Sequence, residues 1–323
     1  MNIRGNHSTV RTFRRHLLHW YDRNKRDLPW RRTSDPYRIW LSEVMLQQTR
    51  VAAVISHYER FLERFPTVEC LANADSSAVL AVWSGLGYYR RARAIHAAAT
   101  KIVQEHASQF PNDAAALQQL PGIGRYTAAA ISSIAFHQPV AVVDGNIERV
   151  LKRVTGRHRA TRKEIWNQAA ELLYRNRPGD FNQALMELGA TVCLPKPQCS
   201  QCPVSRWCRT RGSSTRGVRQ RRRRAHSFYR LVKRANKILL VRRETDASLM
   251  PGMWELPWAR GARGSARSFK LRHSITVTDF EVTVNIGGGS VAGVSGRWIP
   301  IEELNSIPLT GLTRKILRHA NFI

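Results

Sequence analysis

The stretch LQQLPGIGRYTAAAI, residues 117–131, decides how the first part of the chain folds. It consists of a helical segment, a four-residue PGIG turn and a second helical segment. Gly122 and Gly124 allow the backbone to approach a partner closely, and the second segment presents unpaired N–H groups to an anion. A bare P-G-x-G turn connects many helices without binding anything. In a chain as basic as this one, however, the stretch favours a helical hairpin that binds phosphate.

Apolar residues recur at three- and four-residue spacing on both sides of this hairpin, from residue 10 to about residue 192. Stop signals interrupt the pattern repeatedly. We therefore predict an all-α domain. Its predicted helical stretches are 10–24, 35–65 (closed by Pro66), 76–106, 112–120, 125–136, 146–156, 162–176 and 179–193.

The composition changes after residue 208. The segment RTRGSSTRGVRQRRRR is poor in apolar residues and is typical of a linker. From His226 onward the short β-type runs SFYRLVKR, KILLVRR, SITVTDFEVTVNI and GRWIP alternate with Gly and Pro clusters, and the helical runs IEELNSI and LTRKILRHA follow. We predict a multi-domain chain with an all-α domain at 1–208, a basic linker at 209–225 and a smaller α+β domain at 226–323.

The charge of the chain points to a polyanionic partner. The 323 residues carry a formal net charge of +29, with a pI near 11.3. Such a chain attracts nucleic acid through phosphate contacts and counterion release. A solvated basic surface is the alternative. With no signal-peptide pattern and no membrane-spanning apolar run, we expect a monomer of the bacterial cytoplasm that associates with the nucleoid.

Four of the five cysteines fall in the segment CLPKPQCSQCPVSRWC, with the spacing C-x5-C-x2-C-x5-C. Four thiolates this close can bind a tetrahedral zinc ion or an iron-sulfur cluster. Zinc ribbons usually pair two C-x2-C units, so the single C-x2-C favours an iron-sulfur site. We expect Cys70 to be a thiol of the core. The candidate ligands are Cys193, Cys199, Cys202 and Cys208.

Two carboxylates are candidates for catalysis. Asp144 precedes the helical run GNIERVL, so it can cap that helix. A carboxylate held ionised by helix amides can also stabilise positive charge that develops on a sugar. Glu43 has mostly apolar neighbours at helical spacing, and burial there would raise its pKa and suit it to proton transfer near neutral pH. The simpler roles are a helix cap for Asp144 and a residue at the edge of an apolar face for Glu43.

Several motifs of the chain occur together and in a fixed order. They are LPWRR at 28–32, LSEVMLQQTRV at 41–51, WSGLGYYRRAR at 83–93, LPGIGRYTAAAI, VVDGNIERVL, FNQALMELGATVC and the cysteine segment. This set closely resembles the adenine DNA glycosylases of the MutY type, in the helix-hairpin-helix glycosylase superfamily. The resemblance covers nearly all of the first 210 residues. It implies base excision repair of double-stranded DNA, in which adenine mispaired with 8-oxoguanine or guanine is removed and an abasic site is left.

The resemblance implies roles for four residues at the reacting centre. Glu43 matches the general acid that protonates the flipped adenine at N7 and then assists water. Asp144 matches the carboxylate that stabilises the oxocarbenium-like sugar, directly or through a transient covalent adduct, and Asn146 supports it. Tyr126 occupies the position where bifunctional members carry a Schiff-base lysine, which implies a monofunctional glycosylase.

Further matches concern the flipped base and the duplex. Gln48 and Tyr88 match side chains that wedge into the duplex beside the lesion, and such wedges offset the free energy of base flipping. Gly122 and Gly124 match the phosphate-binding turn of the hairpin. The residues that match the lining of the adenine pocket are Trp30, Arg31, Leu46 and Gln183.

The resemblance also bears on the cysteines. The family holds a 4Fe-4S cluster in the pattern C-x6-C-x2-C-x5-C, whereas the first interval of this chain, LPKPQ, is one residue shorter. A 4Fe-4S cluster is therefore implied, with the role of organising a basic DNA-binding loop and no role in the excision itself. Zinc stays the alternative.

The segment KILLVRRETDASLMPGMWELP resembles the MutT-like C-terminal domain of the same enzymes, which reads 8-oxoguanine on the opposite strand. The Glu-rich helix of Nudix hydrolases does not follow it, so we do not expect pyrophosphate hydrolysis. The Phe-Ser-His loop that contacts the oxidised base in the family matches Ile275, Thr276 and Val277. Only the hydroxyl, on Thr276, is retained, so we expect weaker or differently built discrimination between 8-oxoguanine and guanine.

Two other functions compete with this reading. A related pyrimidine or thymine-mismatch glycosylase would share the hairpin, the aspartate and the cluster, but the MutT-like segment and LSEVMLQQT favour the adenine enzyme. A non-catalytic DNA-binding module would keep the hairpin and the charge. The presence of both Glu43 and Asp144 argues against such a module.

Overall fold

A computed structural model describes residues 7–212, 222–244, 246–247, 249–259, 267–275, 277–287 and 295–323 of the protein. The chain divides into two compact units. The first comprises Met1–Tyr58, Thr67–Glu69 and Ala97–Gly217, and the second comprises Glu59–Pro66, Cys70–His96 and Val218–Ile323. Residues 59–66 and 70–96 thus group with the C-terminal region. The domain boundaries at 208 and 226 stay predictions.

The first part of the chain, which the sequence predicted to be all-α, is helical from His7 to Thr191. None of the helices in the described part of the chain is long and apolar enough to cross a bilayer. The α-helices of residues 7–191 are α1 (His7–Asn24), α2 (Pro36–Leu46), α3 (Val51–Arg64), α4 (Val68–Ala72), α5 (Ser76–Trp83), α6 (Arg90–Glu105), α7 (Ala114–Leu117), α8 (Arg125–Ile134), α9 (Gly145–Thr155), α10 (Arg162–Leu172) and α11 (Pro178–Thr191).

Two stretches that were predicted as continuous helices are interrupted. The stretch 35–65 breaks between α2 and α3, where Gln48 has a φ of 56°. The stretch 76–106 breaks between α5 and α6, where Tyr88 has a φ of 49°. A positive φ is costly for residues other than glycine and does not fit a helix. The prediction was wrong at both places because apolar periodicity does not register residues in the left-handed region. At the second break Gly85 and Gly87 also have a positive φ.

The core of the first unit lies between α1, α9 and α11. Phe13 and Leu17 of α1, Val150 of α9 and Phe181 of α11 are fully buried there. The helices α9 and α11 approach closely at Gly189, where an added Cβ would lie 2.6 Å from Cβ of Asn146. Glycine at this position therefore fixes the start of α9 against α11.

The described residues of the C-terminal region form two small sheets and one α-helix. In the first sheet the strand order is β1-β6-β5, with β1 parallel and β5 antiparallel to β6; in the second, β3 pairs with β2, β4 and β7. Apolar residues of α12 pack into the core formed by both sheets. The elements are β1 (Arg223–Leu231), β2 (Lys233–Arg234), β3 (Lys237–Arg242), β4 (Trp254–Glu255), β5 (Arg267–Ile275), β6 (Thr278–Ile286), β7 (Arg297–Pro300) and α12 (Gly311–His319).

Two local predictions in these regions were wrong, and a third was incomplete. The run SITVTDFEVTVNI is β-type as predicted, but it covers the end of β5 and all of β6, and β5 extends back to Arg267. The run IEELNSI forms only a 3-10 turn at Ile301–Glu303. Cys70 is exposed, because α4 buries Val68 and Leu71 instead.

Replacing Gly189 with Ala should destabilise the protein by about 1–3 kcal/mol, because the new methyl group would overlap Asn146 in a packed helix contact. Denaturant unfolding measures this. Gly311→Ala is the matched control, since a Cβ there meets no atom within 4 Å and alanine is the better helix former. Equal stability of the two variants would contradict the close α9–α11 contact.

Candidate active site

Glu43 lies on α2, a helix that starts at Pro36 and is capped by Asp35, whose carboxylate accepts a hydrogen bond from the Tyr37 N–H. The Glu43 side chain is buried, with 7% of the residue exposed. The hydroxyl of Tyr126 donates a hydrogen bond to its Oε2 at 2.7 Å. Burial raises the pKa of Glu43 to about 7, against the opposing effects of the Tyr126 hydrogen bond and the charge of Arg31. A carboxyl with this pKa can both give and accept a proton at neutral pH.

Asp144 is the N-cap of α9, so the predicted capping role is confirmed. Its Oδ1 accepts the Ile147 N–H at 2.6 Å, and its Oδ2 accepts a hydrogen bond from the Asn146 amide at 3.0 Å. Burial raises the pKa of Asp144 above its ordinary value, while these two hydrogen bonds act in the opposite direction and favour the carboxylate. The sequence predicted only the hydrogen bonds from the helix amides, because the burial of Asp144 depends on residues from other parts of the fold.

Glu43 and Asp144 face the same cavity. It has a volume of about 720 Å³ and opens beside Tyr126. The negative charge of Asp144 adds to the rise in the pKa of Glu43, so the two groups are close enough to interact. The cavity thus holds a carboxyl poised for proton transfer and a carboxylate that is hydrogen-bonded to a helix start. The other predicted site residues that line it are Trp30, Arg31, Leu46, Gln48, Asn146 and Gln183.

Sequence analysis missed a buried ion-pair network in the wall of this cavity. Glu187 on α11 is fully buried, and its two carboxylate oxygens accept hydrogen bonds from Arg26 at 2.7 Å each. Arg31 donates to the same carboxylate at 2.8 Å. Burial alone would raise the pKa of Glu187, but the two guanidinium groups hold it at about 2. The sequence did offer one signal, because Glu187 is a charged residue within the mostly apolar run FNQALMELG and would need a partner if buried.

The hairpin forms where the sequence predicted it. Gly122 has a φ of 74°, a conformation that glycine adopts readily. Gly124 caps α8, and a Cβ at this position would meet no atom within 4 Å. The start of α8 is therefore open to a partner. Beside it the guanidinium of Arg125 stacks on Trp166 at 3.9 Å, a contact that the sequence did not indicate.

The four clustered cysteines come together around one small cavity of about 20 Å³, whose other walls include Val150, Val154 and Leu188. Among the described residues, no three His, Cys, Asp or Glu side chains are grouped closely enough to hold a single metal ion. The four cysteines thus line one site together, as ligands of a shared group would. The buried Arg153 also reaches this segment, donating to Sγ of Cys193 at 3.3 Å and to the carbonyl oxygen of Leu194 at 2.6 Å.

The remaining predicted site residues belong to the second unit. Tyr88 is 48% exposed in the break between α5 and α6. Ile275 ends β5, and Val277 is exposed in the turn before β6. Thr276, the residue that was predicted to meet the oxidised base, lies outside the described residues.

The raised pKa of Glu43 predicts how stability depends on pH. The native state binds this proton more tightly than the unfolded state, whose pKa stays near 4.5, so wild-type stability should fall by about 3 kcal/mol as the pH rises from about 4.5 to 7. Glu43→Gln should lack this loss. Denaturant unfolding across that pH range measures the difference between the two proteins. The exposed Glu63, changed to Gln as a control, should leave the wild-type dependence in place. Parallel curves for wild type and Glu43→Gln would contradict the assigned pKa.

Several known proteins are similar in sequence to this chain. Residues 41–175 match the HhH-GPD superfamily of base excision DNA repair proteins. The chain is 50% identical to the adenine DNA glycosylase of Homo sapiens over 217 residues, covering 62% of this chain and 40% of that protein. It is 39% identical to the adenine DNA glycosylase of Buchnera aphidicola subsp. Baizongia pistaciae over 207 residues, covering 62% of this chain and 59% of that protein. The chain thus spans less than two thirds of the length of these relatives.

Solved structures show the same helical fold. A thermostable thymine-DNA glycosylase is 29% identical with a TM-score of 0.58, covering 62% of this chain and 95% of that chain. Endonuclease III in a non-covalent complex with DNA is 23% identical with a TM-score of 0.55, and the similarity covers 63% of this chain and 95% of that chain. Residues 41–175 thus match the HhH-GPD superfamily of base excision DNA repair proteins, and 62% of this chain is similar in sequence to adenine DNA glycosylases.

Proposed function

We propose that the protein is a monofunctional adenine DNA glycosylase, which hydrolyses the N-glycosidic bond of adenine mispaired with 8-oxoguanine or guanine. The observation that carries this proposal is the pair of carboxyls, the buried Glu43 and the part-buried Asp144, that line one cavity. Sequence identity of 50% over 217 residues and 39% over 207 residues to two adenine DNA glycosylases supports adenine as the excised base.

The chemistry follows from the two protonation states. Protonated Glu43 donates its proton to N7 of the flipped adenine, so that the bond between C1′ and N9 breaks and neutral adenine leaves with the bonding electrons. The deoxyribose is left with oxocarbenium character. The carboxylate of Asp144 stabilises this positive charge, and its hydrogen bonds from Asn146 and the Ile147 amide hold it in place.

Water completes the hydrolysis. Ionised Glu43 accepts a proton from a water molecule as the oxygen bonds to C1′, which gives the abasic site and restores the protonated acid. A carboxyl whose pKa is about 7 suits both halves of this cycle, because neither protonation state is costly at neutral pH. Tyr126 holds Glu43 and carries no amine, so no Schiff base with the sugar forms at this position.

Recognition of the base and the duplex rests on the surrounding residues. The walls that receive the adenine include Trp30 and Gln183, together with Arg31 held by Glu187. Gln48 and Tyr88 wedge into the duplex and offset the free energy of flipping, which is a few kcal/mol. The backbone of Gly122 and Gly124, with the open start of α8, binds a DNA phosphate.

We infer that Cys193, Cys199, Cys202 and Cys208 hold a 4Fe-4S cluster. All four cysteines line one cavity, which supports a shared site for them, and the single C-x2-C spacing favours the cluster over zinc. When bound, the cluster would organise this basic segment and take no part in glycosidic bond cleavage. Burial raises the pKa of the Cys202 thiol to about 11, so metal binding here must displace a proton.

The C-terminal region is proposed to be a MutT-like domain that reads 8-oxoguanine on the strand opposite the adenine. The mixed sheet of β1, β6 and β5, with α12 packed against the same core, supports this assignment. The reading loop would lie between β5 and β6, at Ile275, Thr276 and Val277. Without the aromatic and imidazole side chains of the family pattern, we expect a reduced preference for 8-oxoguanine over guanine.

A thymine-mismatch glycosylase is the second candidate. The structural similarity to a thermostable thymine-DNA glycosylase, at 29% identity, favours it. Single-turnover assays on duplexes carrying adenine or thymine opposite 8-oxoguanine and guanine separate the two functions. We expect excision of adenine alone, and release of thymine at a comparable rate would transfer the assignment to the second candidate.

The variants Glu43→Gln and Asp144→Asn should each slow adenine excision by about a hundredfold or more, because they remove the acid and the stabilising charge. Both should still bind the duplex, since neither residue contributes positive charge. Single-turnover gels measure excision, and gel shifts measure binding. Borohydride should trap little covalent enzyme–DNA complex. Normal excision by either variant, or efficient trapping, would contradict the assigned roles.

Purified protein should be brown, with broad visible absorbance and about four iron atoms per chain. Cys202→Ser should lose the colour, because it removes one of four thiolate ligands. Cys70→Ser, which changes an exposed cysteine outside the cluster, should keep it. Colourless wild-type protein with one zinc per chain would overturn the cluster assignment.

A further inference from the structure

The loop that carries Tyr88, residues 84–89, has an unusual backbone. It joins α5 to α6, and Gly85, Gly87 and Tyr88 have φ values of 108°, 72° and 49°. Glycine adopts such angles readily, but a tyrosine in the left-handed region costs of order 1 kcal/mol and persists only where its surroundings hold it. Tyr88 is nevertheless half exposed, at 48%. Arg91 of α6 contacts the loop from one end: its guanidinium lies 5.3 Å from the centre of the Tyr88 ring and donates to the carbonyl oxygen of Gly87 at 3.2 Å.

Both ends of the loop are attached to one carbonyl oxygen of the C-terminal region. The hydroxyl of Ser84 donates to the Leu309 oxygen at 2.9 Å, and the hydroxyl of Tyr89 donates to the same oxygen at 3.3 Å. All three residues are buried and belong to the second compact unit. Leu309 precedes Thr310, the N-cap of α12, so its carbonyl lies outside the hydrogen bonds of that helix and is available to the loop.

Arg314 of α12 completes this attachment. Its Nε donates to Oγ of Ser84 at 2.9 Å, so the Ser84 hydroxyl accepts from Arg314 while it donates to Leu309. Its Nη1 donates to the side-chain oxygen of Asn305 at 3.3 Å. Only 9% of Arg314 is exposed. Burying a guanidinium against neutral acceptors is unfavourable unless its hydrogen bonds are well directed, and here one of them fixes the rotation of the Ser84 hydroxyl.

We propose that the C-terminal region acts as a clamp on the Tyr88 loop, and that Arg314 is a positioning residue for base flipping. The inference rests on the proposed function, in which Tyr88 wedges into the duplex. The clamp holds residues 84 and 89 at a fixed separation, so the strained Tyr88 backbone between them is present before DNA arrives. A preformed wedge lowers the free energy of flipping, whereas the chemical step at Glu43 and Asp144 does not require the clamp.

Two duplexes separate these steps. In one, adenine is opposite 8-oxoguanine within fully paired DNA; in the other, the same mispair lies in a bubble of three mismatches, where the adenine is already unstacked. Arg314→Met should slow single-turnover excision from the paired duplex about tenfold and leave the bubble rate at the wild-type value. Arg318→Met, an exposed arginine of the same helix, is the matched control for lost charge and should leave both rates unchanged.

Ser84→Ala should reproduce the loss on paired DNA, which keeps the test valid if Arg314→Met folds poorly. The double variant should be no slower than the slower single variant, because both substitutions break the same hydrogen bond between Arg314 and Ser84. Equal losses on paired and bubble DNA, or no loss on either, would overturn the clamp while leaving the proposed function in place. Wild-type protein that excises adenine from neither duplex would instead refute the proposed function and the inference with it.

Discussion

The part-buried hydrogen bond between the Tyr126 hydroxyl and Glu43, 2.7 Å long, is the contact on which the proposed chemistry depends. Burial disfavours the carboxylate, and the tyrosine hydroxyl partly offsets this effect, so the pKa rises to about 7 and no further. In the wall of the same cavity, the guanidinium groups of Arg26 and Arg31 donate hydrogen bonds to Glu187 and hold its pKa at about 2. Two glutamates in one cavity thus differ at neutral pH, because Glu187 is ionised whereas Glu43 is close to half protonated. Their different partners, and not their residue type, determine which one can serve as an acid.

The rest of the first unit maintains this arrangement. Asp144 takes its position from the start of α9, and α9 is set against α11 by the contact between Gly189 and Asn146. The same α11 carries Glu187, so one helix supports both the aspartate and the arginine pair of the cavity wall. The two proposed wedges, Gln48 and Tyr88, each interrupt a helix with a positive φ. Backbone strain therefore occurs at the positions that are proposed to enter DNA, where a straight helix would keep the side chain on its own surface.

Much of this could be predicted from the sequence. Apolar spacing indicated the helices, and the PGIG turn indicated the hairpin, because both are local patterns. The pocket residues Trp30, Arg31 and Gln183 followed from the resemblance. Glu187 was missed because its partners, Arg26 and Arg31, lie more than 150 positions away, and no local pattern reports such a pairing. The breaks at Gln48 and at Gly85, Gly87 and Tyr88 were missed because left-handed residues do not alter apolar periodicity. The strand β5 was missed because its exposed residues are polar and its partner strand had to be known first.

The most direct test of this account is the protonation state of Glu43. Infrared difference spectra of wild type minus Glu43→Gln, recorded from about pH 5 to pH 9, isolate the carbonyl stretch of this one protonated carboxyl. We expect a Glu43 band that is present at low pH and disappears with a midpoint near pH 7. A band that is already absent at pH 6, with a midpoint near the ordinary value of 4.5, would show an ionised glutamate at neutral pH and would contradict the proposed acid.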